Sequence, residues 1–170
     1  MVMQIVKMKN LVSPCFLLIL VTSCFYSPYA DEYLTEEPRI EDVVGVYRFD
    51  KQTVNYNLDK NKIRRRQPTI IIKADKTYEI KEIPFFRVSA TGEYNYLNGV
   101  TRKGEWTLET VGSVDYGSRG IKKHWGILLD SAPDEMNYAG LLGENKANGI
   151  IFNYGDPDEG TVMIFRKEKN

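Results

Sequence analysis

Pro68-Thr69-Ile70-Ile71-Ile72-Lys73-Ala74-Asp75-Lys76-Thr77-Tyr78-Glu79-Ile80-Lys81-Glu82-Ile83 decides the fold class. The β-branched run from Thr69 to Ile72 suits a pleated, half-buried surface. Asp75-Lys76 supplies a tight turn, and Thr77 to Ile83 runs back with Tyr78 and Ile80 on one face. Two strands joined by so short a turn are antiparallel, so this unit is a hairpin.

Runs of the same kind stand on both sides. Before the hairpin, Val43-Val44-Gly45-Val46-Tyr47-Arg48-Phe49 carries strand-forming types, and a polar basic segment with Lys60, Lys62, Arg64, Arg65 and Arg66 follows it. After the hairpin comes a looser region, Pro84 to Asn98, with one strand around Tyr94-Asn95-Tyr96. Asn98-Gly99 tolerates positive φ at both residues and signals a primed turn. Gly104 to Glu109 alternates, with Trp106 and Leu108 inward, and in His124 to Leu129 the residues Trp125, Ile127 and Leu129 share one face. Tyr138 to Leu142, Gly149 to Tyr154 and Thr161 to Lys167 complete nine candidate strands. No amphipathic helical period accompanies them. The expectation is an all-β fold: an antiparallel up-and-down meander of about eight strands closing into a barrel, with a β-sandwich as the alternative. Closure removes the open edges that invite aggregation.

The start of the chain has another character. Lys7 and Lys9 precede an apolar core from Leu11 to Val21, and small residues Thr22 and Ser23 stand before Cys24. Positive, then apolar, then small is the order of a secretory signal. A membrane-spanning helix needs about 20 apolar residues, and the run from Leu11 to Val21 is too short. Leu20-Val21-Thr22-Ser23-Cys24 resembles a bacterial lipobox. That resemblance implies a leader at 1–23, cleavage between Ser23 and Cys24, and a thioether-linked lipid with a further acyl chain on Cys24. Two or more chains make such an anchor stable, at about 0.8 kcal/mol per buried CH₂. The implied setting is the cell envelope, with the membrane as first partner. In enterobacteria an aspartate after the lipidated cysteine marks inner-membrane retention. Phe25 stands there, so the resemblance points to the outer membrane, facing the periplasm.

Residues 24–41 are expected to form a lipidated tether, since Pro28 and Pro38 bracket Asp31, Glu32, Glu36 and Glu37 with no sustained period. Phe25, Tyr26, Tyr29 and Tyr33 suit either the headgroup level of a membrane or the surface of the domain. The domain itself is expected at 42–170. Cleavage leaves 147 residues, one domain in size, with 21 basic and 23 acidic side chains. That balance gives no electrostatic reason to expect nucleic acid. Cys15 would be lost with the leader, so no cysteine pair remains and the core must hold the fold.

Gly45-Val46-Tyr47 on the first strand, followed by a meander, resembles the lipocalin-like domains of many bacterial lipoproteins. Lipocalins carry tryptophan where Tyr47 stands, and a late arginine, here matched by Arg166, that covers this aromatic. The resemblance implies carriage or sensing of a small apolar ligand, with Tyr47, Trp106 and Trp125 as candidate binding residues. Small barrels are also commonly filled by their own side chains.

Catalytic signals are weak. His124 is the only histidine, and neither a second histidine nor a mature thiol is there to complete a zinc site. It is expected to be half-exposed beside a strand. No serine sits in a Gly-x-Ser-x-Gly elbow. Asp156-Pro157-Asp158-Glu159-Gly160 lacks the downstream ligands of a calcium loop and suits a hairpin turn. The basic run from Lys60 to Arg66 suits a solvated loop, partly neutralised by Asp59. No catalytic residue, metal or cofactor is expected. The alternative to a carrier is a protein-interaction module, such as an envelope assembly factor, a hydrolase inhibitor or an immunity protein.

Overall fold

The computed structural model describes residues 27–54 and 65–169. The leader at 1–23 lies outside the described residues, as do Cys24, Phe25 and Tyr26 of the tether and Lys60, Lys62 and Arg64 of the basic run.

A single helical turn, α1 (Ile40–Val43), leads into eight strands: β1 (Gly45–Gln52), β2 (Thr69–Ile72), β3 (Thr77–Val88), β4 (Tyr94–Asp115), β5 (Ile121–Leu129), β6 (Tyr138–Leu142), β7 (Gly149–Asn153) and β8 (Val162–Lys167). Each strand pairs antiparallel with the next, and β1 pairs with β8, so the meander closes on itself. The all-β antiparallel meander expected from the alternation is therefore the fold.

The hairpin of β2 and β3 forms as expected. Asp75 Oδ1 accepts from the Thr77 amide at 3.0 Å and from Thr77 Oγ1 at 2.7 Å. These bonds hold the turn while Lys76 takes φ of 65°.

Nine runs become eight strands because Asn98-Gly99 is not a turn. The segment Tyr94-Asn95-Tyr96 and the segment around Trp106 are parts of one strand, β4, of 22 residues. β3 correspondingly continues through Pro84 to Val88. Asn98 pairs with Phe85 and Tyr96 with Phe86, so Leu97 is an extra residue and the ladder bulges there. Tolerance of positive φ, with Asn98 at 118°, serves a bulge as well as a turn. The real hairpin end lies earlier in the chain, between β3 and β4, where Ser89 Oγ accepts from the amides of Thr91 and Glu93.

β4 is long because it serves two neighbours in succession. Its first half pairs with β3, and Trp106 to Asp115 pairs with β5. A second bulge at Val111 reverses the facing of the residues beyond it. Trp106 and Leu108 point to the main core, whereas Val114 joins a second apolar cluster with Ile151, Val162 and Ile164.

The main core is the inside of the ring. Tyr47, Ile70, Ile80, Phe86, Ile127, Ile150, Phe152 and Phe165 are 0 % exposed, and Tyr78, Trp106 and Tyr154 are 1 %. Burying each large side chain contributes about 1.5–3 kcal/mol. Edge-to-face ring pairs join Phe152 to Phe165 at 6.1 Å, Phe49 to Phe165 at 6.0 Å and Phe86 to Tyr154 at 5.8 Å. α1 covers one end: Val43 is fully buried, Tyr47 Oη donates to its carbonyl at 2.5 Å, and Lys167 Nζ donates to the Asp42 carbonyl at 2.7 Å.

The stretch expected as a tether is, from Ser27 onward, built into the domain. Tyr29, Ala30, Tyr33 and Leu34 are buried. Of the two places open to the aromatics, Tyr29 and Tyr33 take the domain surface. The physical reason lies in a gap between strands. β5 and β6 pair only from Gly126↔Gly140 to Leu128↔Tyr138. Beyond that, Leu34 enters between them, donating to the Leu141 carbonyl at 2.9 Å and accepting from the Trp125 amide at 2.8 Å. Leu34 therefore faces the main core and Tyr33 the outer cluster. We call Ser27 to Leu34 the strap.

Candidate functional site

The residues expected to line a ligand site occupy three different settings. Tyr47 is fully buried with its hydroxyl committed to Val43, and burial raises its pKa. The basic group above its ring is Lys167, with Nζ 5.8 Å from the centroid, and not Arg166. Arg166 instead forms ion pairs with Glu32 and Asp50. The correction follows from register: adjacent residues of a strand face opposite ways, and Lys167 is the one paired with Tyr47. Burial lowers the pKa of Lys167, with nearby Asp42 opposing that shift and Lys146 adding to it.

Trp106 is also buried. Its Nε1 donates to the Lys73 carbonyl at 3.0 Å, and Lys76 Nζ sits 4.1 Å from the ring centroid. The indole thus packs under the β2–β3 turn. Trp125 shares the facing of Ile127 and Leu129, yet it is only partly buried while they are fully so. It stands on the part of β5 where Leu34, and not β6, is the neighbour.

A groove of about 610 Å³ lies outside the ring, between the strap, the β4–β5 hairpin and the start of β6. Glycines shape its floor. A Cβ on Gly112 would meet the His124 ring, and one on Gly140 would meet Ile151 and Tyr33. The missing side chains let the Tyr33 and His124 rings lie against the sheet, stacked with centroids 4.3 Å apart. Tyr33 Oη donates to Asn153 Oδ1 at 3.1 Å. Tyr116 Oη donates to the Ala30 carbonyl at 2.8 Å and ties the hairpin to the strap.

His124 is buried, at 8 % exposure, and not half-exposed beside a strand as expected. Gly112 and the strap supply the burial. Nδ1 has no hydrogen-bond partner among the described residues. Burial pushes the imidazole pKa below its ordinary value, and the Trp125 backbone acts in the opposite sense. One sign of this is present in the sequence: glycines on neighbouring strands often mark the close approach of another group.

Among the described residues no group of three or more histidine, cysteine or acidic side chains is arranged to hold a metal ion. Asp156 to Gly160 forms a tight turn, with the Asp158 amide donating to Asp156 Oδ1 at 3.0 Å. Of the basic run, Arg66 reaches the Tyr96 hydroxyl at 3.0 Å. No protein-family model, curated protein or solved structure matches this chain.

Proposed function

We propose that this chain is a lipid-anchored protein of the bacterial envelope whose closed meander binds a protein partner through its outer surface. One observation carries the choice of surface over interior. The aromatics best suited to a ligand cavity, Tyr47 and Trp106, are buried with their polar atoms bonded to backbone carbonyls. A carrier of small apolar molecules needs interior space for its cargo, whereas small eight-stranded rings are often filled by their own side chains. The outer face, in contrast, offers a shaped groove and exposed Ile121 and Tyr138.

The anchor rests on the lipobox at Leu20 to Cys24, and Phe25 favours the outer membrane with the domain facing the periplasm. In this reading the domain recognises and does not catalyse, as an assembly factor, inhibitor or immunity protein would.

Native mass spectrometry of the protein purified from its own envelope tests the choice. The expected result is the bare lipidated mass. A stoichiometric adduct of a few hundred daltons would overturn the surface reading and restore a lipocalin-like carrier.

A further inference from the structure

The outer groove has a marked charge imbalance. Asp115, Asp134, Glu135 and Asp158 line it, and no lysine or arginine does. Asp115, Asp134 and Asp158 are exposed. Arg87 reaches Glu135 at 3.4 Å in an exposed pair, the kind that contributes little and yields readily to a competitor. Asp134 and Asp158 make no ion pair among the described residues.

A second observation is independent of charge. His124 lines the same groove at 8 % exposure, with its buried Nδ1 unpartnered. Buried polar atoms are nearly always satisfied, so such an atom marks a place where a hydrogen-bond partner is missing. A third concerns the rim: Ile121 is 71 % exposed and Tyr138 55 %, and both border the carboxylates.

We propose that the groove binds a basic peptide segment of the partner protein, one that alternates cationic and apolar side chains. The carboxylates receive the lysine or arginine groups, Ile121 and Tyr138 receive the apolar ones, and His124 Nδ1 gains a hydrogen-bond partner from the segment. A bare polyamine would satisfy the charge and leave the rim unused. A metal ion lacks a convergent ligand set among the described residues. Complementary charge of this kind acts chiefly on association rate and specificity.

This inference rests on the surface reading above and names the chemistry of its partner. The test uses the full lipidated chain in detergent with a fluorescent synthetic peptide alternating lysine and leucine. Binding is expected, weakening as salt rises. The triple variant Asp134→Asn, Glu135→Gln, Asp158→Asn should bind about tenfold more weakly, with an unchanged melting temperature. Equal binding of a glutamate–leucine peptide, undiminished binding by the triple variant, or spermine binding as tight as the peptide would overturn the proposal. The bare-mass measurement separates the two failures: no peptide binding with a bare mass rejects only the groove, whereas an interior adduct rejects the surface reading itself.

Discussion

The imidazole of His124 lies over the phenol of Tyr33, with the ring centroids 4.3 Å apart and the planes 27° from parallel. One ring belongs to β5 and the other to the strap, so this stack joins an N-terminal segment to a strand far along the chain. Leu34 extends the attachment inward by replacing β6 as the partner of Trp125.

Removing the strap's ring should therefore cost the whole domain. Tyr33→Ala is expected to destabilise by about 3–5 kcal/mol, the range for emptying a large aromatic site. Tyr33→Phe keeps the stack and loses the bond to Asn153, so about 1 kcal/mol is expected. Urea unfolding of the three proteins measures both differences.

The same stack makes stability depend on pH. Burial lowers the folded-state pKa of His124, so the unfolded chain takes up its proton first. The contribution of neutral His124 is fully present above the unfolded value of about 6.5 and falls away as pH drops through the folded pKa. Melting temperatures measured between pH 8 and pH 5 should decline more steeply for the parent than for His124→Phe, which retains a ring without a titrating group. Parallel curves would refute this assignment.

Gly126 tests the close packing beneath the hairpin. A Cβ there meets Val111 and the backbone carbonyl of Ala139, which belongs to the paired strand and has little room to move. Gly126→Ala is expected to cost about 1–3 kcal/mol, as overpacked cores do. Gly92→Ala is a contrasting case, because nothing lies within 4 Å of its added Cβ and only its φ of 80° opposes the change.

Attachment is tested at Cys24, which precedes the strap in sequence. Cys24→Ser should move the protein from the membrane pellet to the soluble envelope fraction. A variant that still sediments with membranes would overturn the lipobox assignment.

Local chemistry makes some of this architecture legible. The hairpin from Thr69 to Ile83 shows in the sequence because β-branched residues, an aspartate turn and alternation all agree there. The length of β4 does not, because Asn98-Gly99 is equally suited to turning a chain and to bulging it. The strap is hidden for a different reason. Its residues follow no period of their own, and their burial comes from a gap between β5 and β6 that only tertiary structure creates. His124 stands after two lysines, so neighbours in sequence suggest water where the fold supplies Tyr33 and Gly112. Tyr47 and Trp106 are recognisable as inward-facing, but not as packed side chains bonded to backbone carbonyls, since that depends on which turn and helix lie beside them.

The seam between β1 and β8 has a consequence for how the molecule comes into being. It joins groups 120 positions apart, as in the contact of Arg48 with Glu168. Every other pairing in the ring joins consecutive strands and can form as the chain emerges. The ring, however, stays an open sheet with two unpaired borders until its final strand arrives. Long-range closure of this kind slows folding, and the waiting borders are sticky towards other chains. The growing chain thus passes through a vulnerable interval that ends only when Val162–Lys167 docks beside Gly45–Gln52.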